Sequence, residues 1–308
     1  MRAVVITKPG DPDVVDVADR HVREPGEGEV RIAVKAASVN PTDIGLRQRG
    51  GAGDPPWVPG MDAAGVIESL GPGVERLHEG EQVMAAVSPR RRDGGAQQDL
   101  LVVPAASVVP IPDGASLAEA ATLPMNGLTA MRGLEMLGLN EGDTLAVSGG
   151  AGELASYVIP LAKERGLRVI ADAKPEDEQL VKSFGADVVV PRGDFGGAVR
   201  AVAGEGVDAV YDTALLRRNA LPAIRDGGQI VVVRGWDGDE VEDRGIRVHP
   251  VRVATVLERT DWLEELRRLA SAGRLQLRVA REYPPEEAAE AHRVMDGGGL
   301  RGRAVIVF

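Results

Sequence analysis

The sequence contains no cysteine. This absence excludes disulfides, thiol nucleophiles and thiolate zinc sites. Aromatic residues make up only 3% of the chain, so its core must be mostly aliphatic. Long hydrophobic runs are missing too, since no segment approaches the ~20 apolar residues of a membrane span. The opening stretch MRAVVI resembles a strand rather than the apolar core of a signal peptide. We therefore expect a cytoplasmic protein with no membrane partner.

Positive charge is outweighed by negative charge, because 47 aspartates and glutamates against 36 lysines and arginines give a formal net charge of −11 at pH 7. Proteins that bind nucleic acid need a basic face, so we expect no nucleic-acid partner. The three consecutive arginines Arg90–Arg92 are best interpreted as a solvated loop. A chain of 308 residues, 44% of them hydrophobic, fits a globular protein of two domains.

The pattern of predicted elements changes near residue 115. The preceding part shows short strands separated by Gly/Pro turns, as in a small β-barrel or sandwich. A helix is predicted over Ser116–Leu123, with Ser116 and Glu119 forming a capping box. Strands then alternate with helices, which indicates a parallel sheet with helices on both faces. This series includes a helix over Arg217–Arg225 and a strand over Gln229–Val233.

A strand, a glycine-rich turn and a helix occur in succession near the middle of the chain. The strand is predicted over Asp143–Val147, the turn is SGGAG, and the helix covers Gly152–Arg165. Glycines let the backbone approach a pyrophosphate, which then meets the first helical N–H groups. The sequence thus predicts a dinucleotide site centred on Gly149, Gly152 and Ala155. The carboxylate of Glu153 would repel a phosphate at the mouth of this site, unless it points to solvent as an acidic residue at the helix N-terminus, which is the expectation that removes the conflict.

The choice between NAD and NADP depends on the end of the second strand. NAD enzymes place an acidic residue there to bind the ribose hydroxyls, and Asp172 could be that residue. If the strand is counted from Arg168, the discriminating position is instead Ala173, followed by Lys174. Lys174 and Arg192 could then hold a 2′-phosphate. We favour NADP, and NAD stays open if Asp172 binds the ribose.

Several further motifs occur in a characteristic order along the chain. They are AASVNPTD at 36–43, VPGMDAAGV at 58–66, LPMNGLTA at 123–130, the glycine turn, GVDAVYDT at 206–213 and RGRAV at 301–305. In this order and spacing, the chain resembles a zinc-free medium-chain dehydrogenase/reductase of the quinone oxidoreductase type. The resemblance covers nearly the whole chain.

This resemblance implies an α/β protein built from two domains. A GroES-like, β-rich catalytic domain would cover residues 1–119, and residues 257–308 would complete it. A Rossmann domain with a doubly wound parallel sheet would cover 120–256. Zinc members of the superfamily bind their catalytic metal at positions that match Asn40, Met61 and Asp62, with Met125 or Asn126 at the third ligand site. We expect no metal here.

The resemblance also assigns roles to individual residues. Asn40, with Asp43 close by, would lie beside the nicotinamide ribose and the substrate, and Thr129 would pack near the nicotinamide. The other predicted cofactor contacts are Gly149, Gly150, Ala151, Gly152, Leu154, Ala173, Lys174, Arg192, Thr213, Ala214 and Arg303. Three of these residues have a simpler alternative: Asn40 could cap a turn, Thr129 could be an ordinary helix residue, and Arg303 could be a surface arginine. Likewise, Asp212 could cap the next helix.

The implied function is zinc-independent, NADPH-dependent hydride transfer to a small-molecule substrate, either a quinone or an α,β-unsaturated carbonyl. The tyrosine that such quinone reductases often carry near the substrate is replaced here by the stretch Ile44-Gly45-Leu46. Two alternatives therefore stay open: a non-catalytic NAD(P)H-binding redox sensor, and an enoyl-thioester reductase. Family members are commonly dimers, so we expect a homodimer.

Overall fold

The fold is described from a computed structural model that covers residues 1–236 and 244–308. Its strands are β1 (Arg2–Ile6), β2 (Val15–Asp19), β3 (Glu29–Ser38), β4 (Asp62–Leu70), β5 (Gln82–Ala86), β6 (Leu100–Pro104), β7 (Val108–Pro110), β8 (Thr144–Ser148), β9 (Arg168–Ala173), β10 (Val188–Pro191), β11 (Val207–Asp212), β12 (Ile224–Val232), β13 (Arg247–Pro250), β14 (Val279–Tyr283) and β15 (Arg303–Val307).

The helices interrupt these strands mainly in the second half of the chain. They are α1 (Pro41–Arg49), α2 (Leu117–Ala120), α3 (Pro124–Leu137), α4 (Ala155–Glu164), α5 (Glu178–Ser183), α6 (Phe195–Ala203), α7 (Thr260–Ser271) and α8 (Ala288–Gly297). The capping box predicted at Ser116 is confirmed, because its hydroxyl accepts the Glu119 N–H and the Glu119 carboxylate accepts the Ser116 N–H. No helix within 1–236 and 244–308 is long and apolar enough to cross a membrane.

The chain divides into two compact units. The first unit comprises Met1–Met125, Ala254–Gly273 and Leu277–Phe308, and the second comprises Asn126–Val253 with Arg274–Gln276. The main sheet of the first unit has the strand order β14-β15-β3-β4-β5-β7, with β6 paired to β3, and β1 and β2 form a separate antiparallel pair. Aliphatic side chains such as Ile32, Leu101 and Val108 fill its core, as the scarcity of aromatic residues requires.

The second unit is built on a parallel sheet of order β10-β9-β8-β11-β12-β13. The order reverses between β8 and β11, so the loops after these two strands leave the sheet in opposite directions. Ligands of open α/β sheets bind in the crevice at the carboxyl ends of the strands at such a point. The predicted α/β class, a β-rich part plus a Rossmann-type sheet, is thus confirmed.

One predicted helix, Arg217–Arg225, is wrong. The structure has a short 3-10 helix over Arg217–Ala223, and β12 then begins at Ile224 and runs through the glycines expected to separate helix from strand. Pro222 lacks the N–H that an α-helix would use there. Ile224 pairs with Val207 in the buried sheet, so tertiary pairing overrides the helical pattern.

Candidate functional site

The glycine turn follows β8 at the point where the strand order reverses. Gly149 has φ 68°, a left-handed conformation that glycine adopts without steric cost. A Cβ on Gly150 would lie 2.7 Å from the carbonyl oxygen of Asp172, and a Cβ on Gly152 would lie 3.0 Å from that of Gly149. The turn therefore leaves no room for a side chain at Gly150 and little at Gly152, so its backbone can pack as tightly as in the glycine turns that bind a pyrophosphate.

The helix after the turn is shorter than predicted. Regular α-helix begins at Ala155, although the Ser156 N–H already donates to the Gly152 carbonyl at 3.1 Å. Pro160 lies inside α4, as the sequence requires. The expectation for Glu153 is wrong: its side chain is buried, and one carboxylate oxygen accepts the Tyr157 hydroxyl at 3.3 Å. Tyr157 lies one helical turn further on, so the Glu153 carboxylate turns inward along α4.

Asp172 anchors the glycine turn. Its carboxylate accepts the Gly149 N–H, and its carbonyl oxygen accepts the Gly150 N–H at 3.1 Å. The residue is only 3% exposed. Burial raises the pKa of the Asp172 carboxyl, while the Gly149 N–H and the positive charge of Arg192 act in the opposite direction. Sequence reasoning considered Asp172 only as a ribose ligand and missed this structural use.

Two cations stand at the carboxyl ends of neighbouring strands. Ala173 ends β9 and pairs with Pro191, which ends β10, so Lys174 and Arg192 follow side by side. The Lys174 ammonium is half exposed and lies 3.8 Å from the Glu176 carboxylate. Within residues 1–236 and 244–308, the exposed Arg192 side chain makes no hydrogen bond or ion pair. The structure thus brings the predicted 2′-phosphate ligands together.

The loop after β11 packs against the same turn. The Thr213 hydroxyl donates to the Ser148 carbonyl at 2.5 Å, and the Ala214 N–H donates to the Ser148 hydroxyl at 3.1 Å. A Cβ on Gly149 would lie 3.0 Å from that of Ala214. Gly149–Gly152, Ala173, Lys174, Arg192, Thr213 and Ala214 therefore share one edge of the sheet.

Asp212 shapes this loop, although it is not the N-cap of the next helix: the 3-10 helix that begins at Arg217 has Leu216 as its N-cap. Its carboxylate accepts the N–H groups of Leu216 at 3.0 Å and Arg217 at 2.7 Å. Leu215 and Arg217 have φ of 60° and 55°, a strained conformation for residues other than glycine. Thr129 lies on α3 in the same unit, where its carbonyl oxygen accepts the buried Tyr211 hydroxyl at 2.6 Å.

The first unit contains a second group of buried polar residues, around Asn40. The Asn40 side-chain amide donates to the Ser38 hydroxyl at 2.9 Å and to the Asp62 carboxylate at 2.7 Å. Asp62 also accepts the Ser38 hydroxyl at 2.8 Å and the Met125 N–H at 2.6 Å. Three positions that match zinc ligands of the superfamily, those of Asn40, Asp62 and Met125, are thus joined by direct hydrogen bonds.

Asp43 fixes the start of α1 beside Asn40. Its carboxylate accepts the N–H groups of Asn40 at 2.7 Å and Gly60 at 2.8 Å. Burial raises the pKa of Asp43 to about 7, with a smaller contribution from the negative charge of Asp62, although the two N–H donors and Arg303 oppose this shift. Burial also raises the pKa of Asp62. Arg303 is 6% exposed, so the alternative of a surface arginine is wrong.

Sequence reasoning missed Ser38 as a member of this group and assigned Asp62 only by its matching position. The available signal was a carboxylate at the start of an otherwise apolar strand, DAAGVI. A buried carboxylate needs hydrogen-bond donors, and the register of β3 and β4 supplies them. Among residues 1–236 and 244–308, no cluster of three or more histidine, cysteine, aspartate or glutamate residues is arranged to hold a metal ion.

Comparison with known proteins agrees with this architecture. Residues 26–113 match the family model of the alcohol dehydrogenase GroES-like domain, and residues 184–306 match that of a zinc-binding dehydrogenase. A 2-methylene-furan-3-one reductase of Solanum lycopersicum is 30% identical over 99% of this chain and 79% of its own length. This chain belongs to the medium-chain dehydrogenase/reductase superfamily. The quinone oxidoreductase-like membership predicted from the sequence is confirmed.

Other superfamily members match over the full chain. A quinone oxidoreductase of Rattus norvegicus is 26% identical over 100% of this chain and 98% of its own length. A crystal structure of an NAD-dependent alcohol dehydrogenase has a TM-score of 0.86 at 30% identity, with 100% of both chains covered. A mycobacterial protein in complex with NADPH has a TM-score of 0.88 at 27% identity, again over 100% of both chains. The similar structures thus include one of an enzyme named as NAD-dependent and one of a protein bound to NADPH.

Proposed function

We propose that this protein is a zinc-independent, NADPH-dependent oxidoreductase that transfers hydride to a quinone or to an α,β-unsaturated carbonyl. The observation that carries the proposal is the glycine turn at the switch point of the second unit. Similar proteins named as an enone reductase and as a quinone oxidoreductase support the acceptor class. When bound, the dinucleotide supplies the hydride.

The residues at this turn fit such a dinucleotide. The backbone of Gly149–Gly152 and the start of α4 would bind the pyrophosphate, with Ala151 and Leu154 beside it. Lys174 and Arg192 would hold the 2′-phosphate, because two adjacent cations favour a doubly charged group. Asp172 is already engaged with the turn, and this supports NADP over NAD. Thr213, Ala214 and Thr129 would complete the nicotinamide side.

The hydrogen-bonded residues around Asn40 in the first unit support a reaction in which no metal ion activates the hydride acceptor. Both oxygens of Asp62 already accept hydrogen bonds, one from Met125 and the other from Ser38 and Asn40. We assign Asn40 the role of orienting the substrate through its fixed side-chain amide. Asp43 would position Asn40, and Arg303 would balance the buried carboxylates electrostatically.

Turnover and binding together test this function. NADPH absorbance should fall when quinones or enones are added to the protein, and EDTA should leave the rate unchanged. Tight NADPH binding without turnover across a broad panel would contradict the proposal and would favour the redox-sensor alternative. Turnover confined to enoyl thioesters would favour the alternative of an enoyl-thioester reductase. The homodimer and the cytoplasmic location stay predictions.

A further inference from the structure

A cavity of about 400 Å³ lies within the first unit. This volume falls in the range of small-molecule binding sites. Its lining is mixed, with apolar contributions from Ala86 and Leu257 and polar ones from Ser88, Arg91 and Glu258. None of these residues takes part in the Asn40 hydrogen bonds described above.

The register of the sheet places this cavity next to the Asn40 group. Asp62 of β4 lies directly opposite Ala86 of β5. Residues directly opposite in antiparallel strands point to the same face of a sheet. Ser38, Asp62 and Ala86 therefore form one row across β3, β4 and β5, and the Ser38 hydroxyl donates to Asp62. A molecule in the cavity would lie one strand away from the Asp62 carboxylate that holds Asn40.

Arg91 gives this cavity a cationic wall with unused hydrogen-bonding capacity. Its guanidinium makes one contact with the Glu29 carboxylate, at 3.3 Å. Among residues 1–236 and 244–308, its buried Nε finds no acceptor. Glu29 is held more closely by Arg23, at 2.8 Å from Nη2, and Arg23 is also paired with Asp93 at 2.9 Å. Arg91 contacts Glu29 through Nη2 alone, so its guanidinium keeps donor capacity for a second carboxylate.

We propose that this cavity binds the acceptor, and that Arg91 selects acceptors carrying a carboxylate away from the reacting double bond. This inference rests on the proposed function. The substrate class is then an α,β-unsaturated carbonyl with an anionic tail. NADPH is oxidised, its hydride forms the new C–H bond at the β-carbon, and a proton from solvent adds at the α-carbon. The tail carboxylate is unchanged by the reaction.

The Glu258 carboxylate also lines the cavity, and its negative charge would favour a substrate with a cationic tail. Glu258 is exposed, however, and solvent screens its charge, whereas Arg91 is partly buried. Solvent therefore screens the Arg91 charge less than the Glu258 charge.

Matched compounds and variants test the inference. The probes are an enone with a carboxylate on a short alkyl tail, its methyl ester and the corresponding ammonium compound. Arg91→Leu should lower kcat/KM for the acid by roughly 10- to 100-fold, mainly through KM, and should change the ester little. Arg91→Lys should recover part of the loss. Arg90→Leu is the control, because Arg90 is an exposed residue of the same loop.

The outcomes separate this inference from the proposed function. Equal effects of Arg91→Leu on acid and ester, or preference of the wild type for the ammonium compound, would overturn the inference alone. If the wild type reduces none of the probes, the proposed function fails. In that case, calorimetric binding of the acid to wild type and to Arg91→Leu still decides whether Arg91 recognises the carboxylate.

Discussion

His292 allows a quantitative prediction about the first unit. It lies on α8 and is fully buried, and among residues 1–236 and 244–308 neither ring nitrogen has a hydrogen-bond partner. Arg47 of α1, which binds Asp296 at 2.7 Å, is close enough to act on it electrostatically. Burial, aided by the positive charge of Arg47, lowers the pKa of His292 from 6.5 to about 4, and Asp296 opposes this only in part.

The sign of the effect follows from proton linkage. Below pH 6.5 the unfolded chain binds a proton at His292 that the folded protein does not bind, so the free energy of unfolding falls as the pH falls towards 4. Each pKa unit corresponds to about 1.4 kcal/mol. Relative to pH 7, the loss should be about 1 kcal/mol at pH 6, about 2 at pH 5 and about 3 at pH 4.

The variant His292→Leu should remove this dependence, because leucine fills the buried site without titrating. Urea unfolding of wild type and variant between pH 7 and pH 4 would measure it as a difference between the two proteins. Asp43, whose raised pKa gives a dependence of opposite sign, is present in both and cancels. His78→Gln, at an exposed position, is the control. Parallel stability curves for wild type and His292→Leu would refute the reasoning.

Two further predictions concern the cofactor and the Asn40 group. Lys174→Ala should weaken NADPH binding by roughly 10-fold and NADH binding hardly at all, because only NADPH carries the 2′-phosphate. Fluorescence titration measures both affinities, with Lys182→Ala as the control. Equal losses of the two affinities would point back to Asp172 and NAD. Asp62→Asn should lower the free energy of unfolding by about 1–3 kcal/mol, because an amide cannot accept hydrogen bonds on both sides. Urea unfolding measures this loss, with Asp19→Asn as the exposed control; unchanged stability would contradict the hydrogen-bonded role of Asp62.

The sequence by itself determined the order of most elements and the existence of the glycine turn between β8 and α4. Alternation in short strands and the glycines of SGGAG are local properties, so they can be interpreted from neighbouring residues. The order of the superfamily motifs contributed through the resemblance to a known family. Even the adjacency of Lys174 and Arg192 follows once the parallel pairing of β9 and β10 is known. The helix over Arg217–Arg225 was the exception, because pairing with Val207 is not a local property.

Only the tertiary structure decided how the buried polar groups are used. Glu153 turns inward to Tyr157, Asp172 anchors the glycine turn, and Asp62 joins Ser38 and Asn40 to Met125, which follows Asp62 by 63 residues. The donors to Asp172 and Asp62 come from distant segments that the folded sheets bring together, whereas Glu153 meets its donor within one helical turn once its side chain is buried. Removing a charge from water is costly without such donors, and this cost fixes each carboxylate in its place.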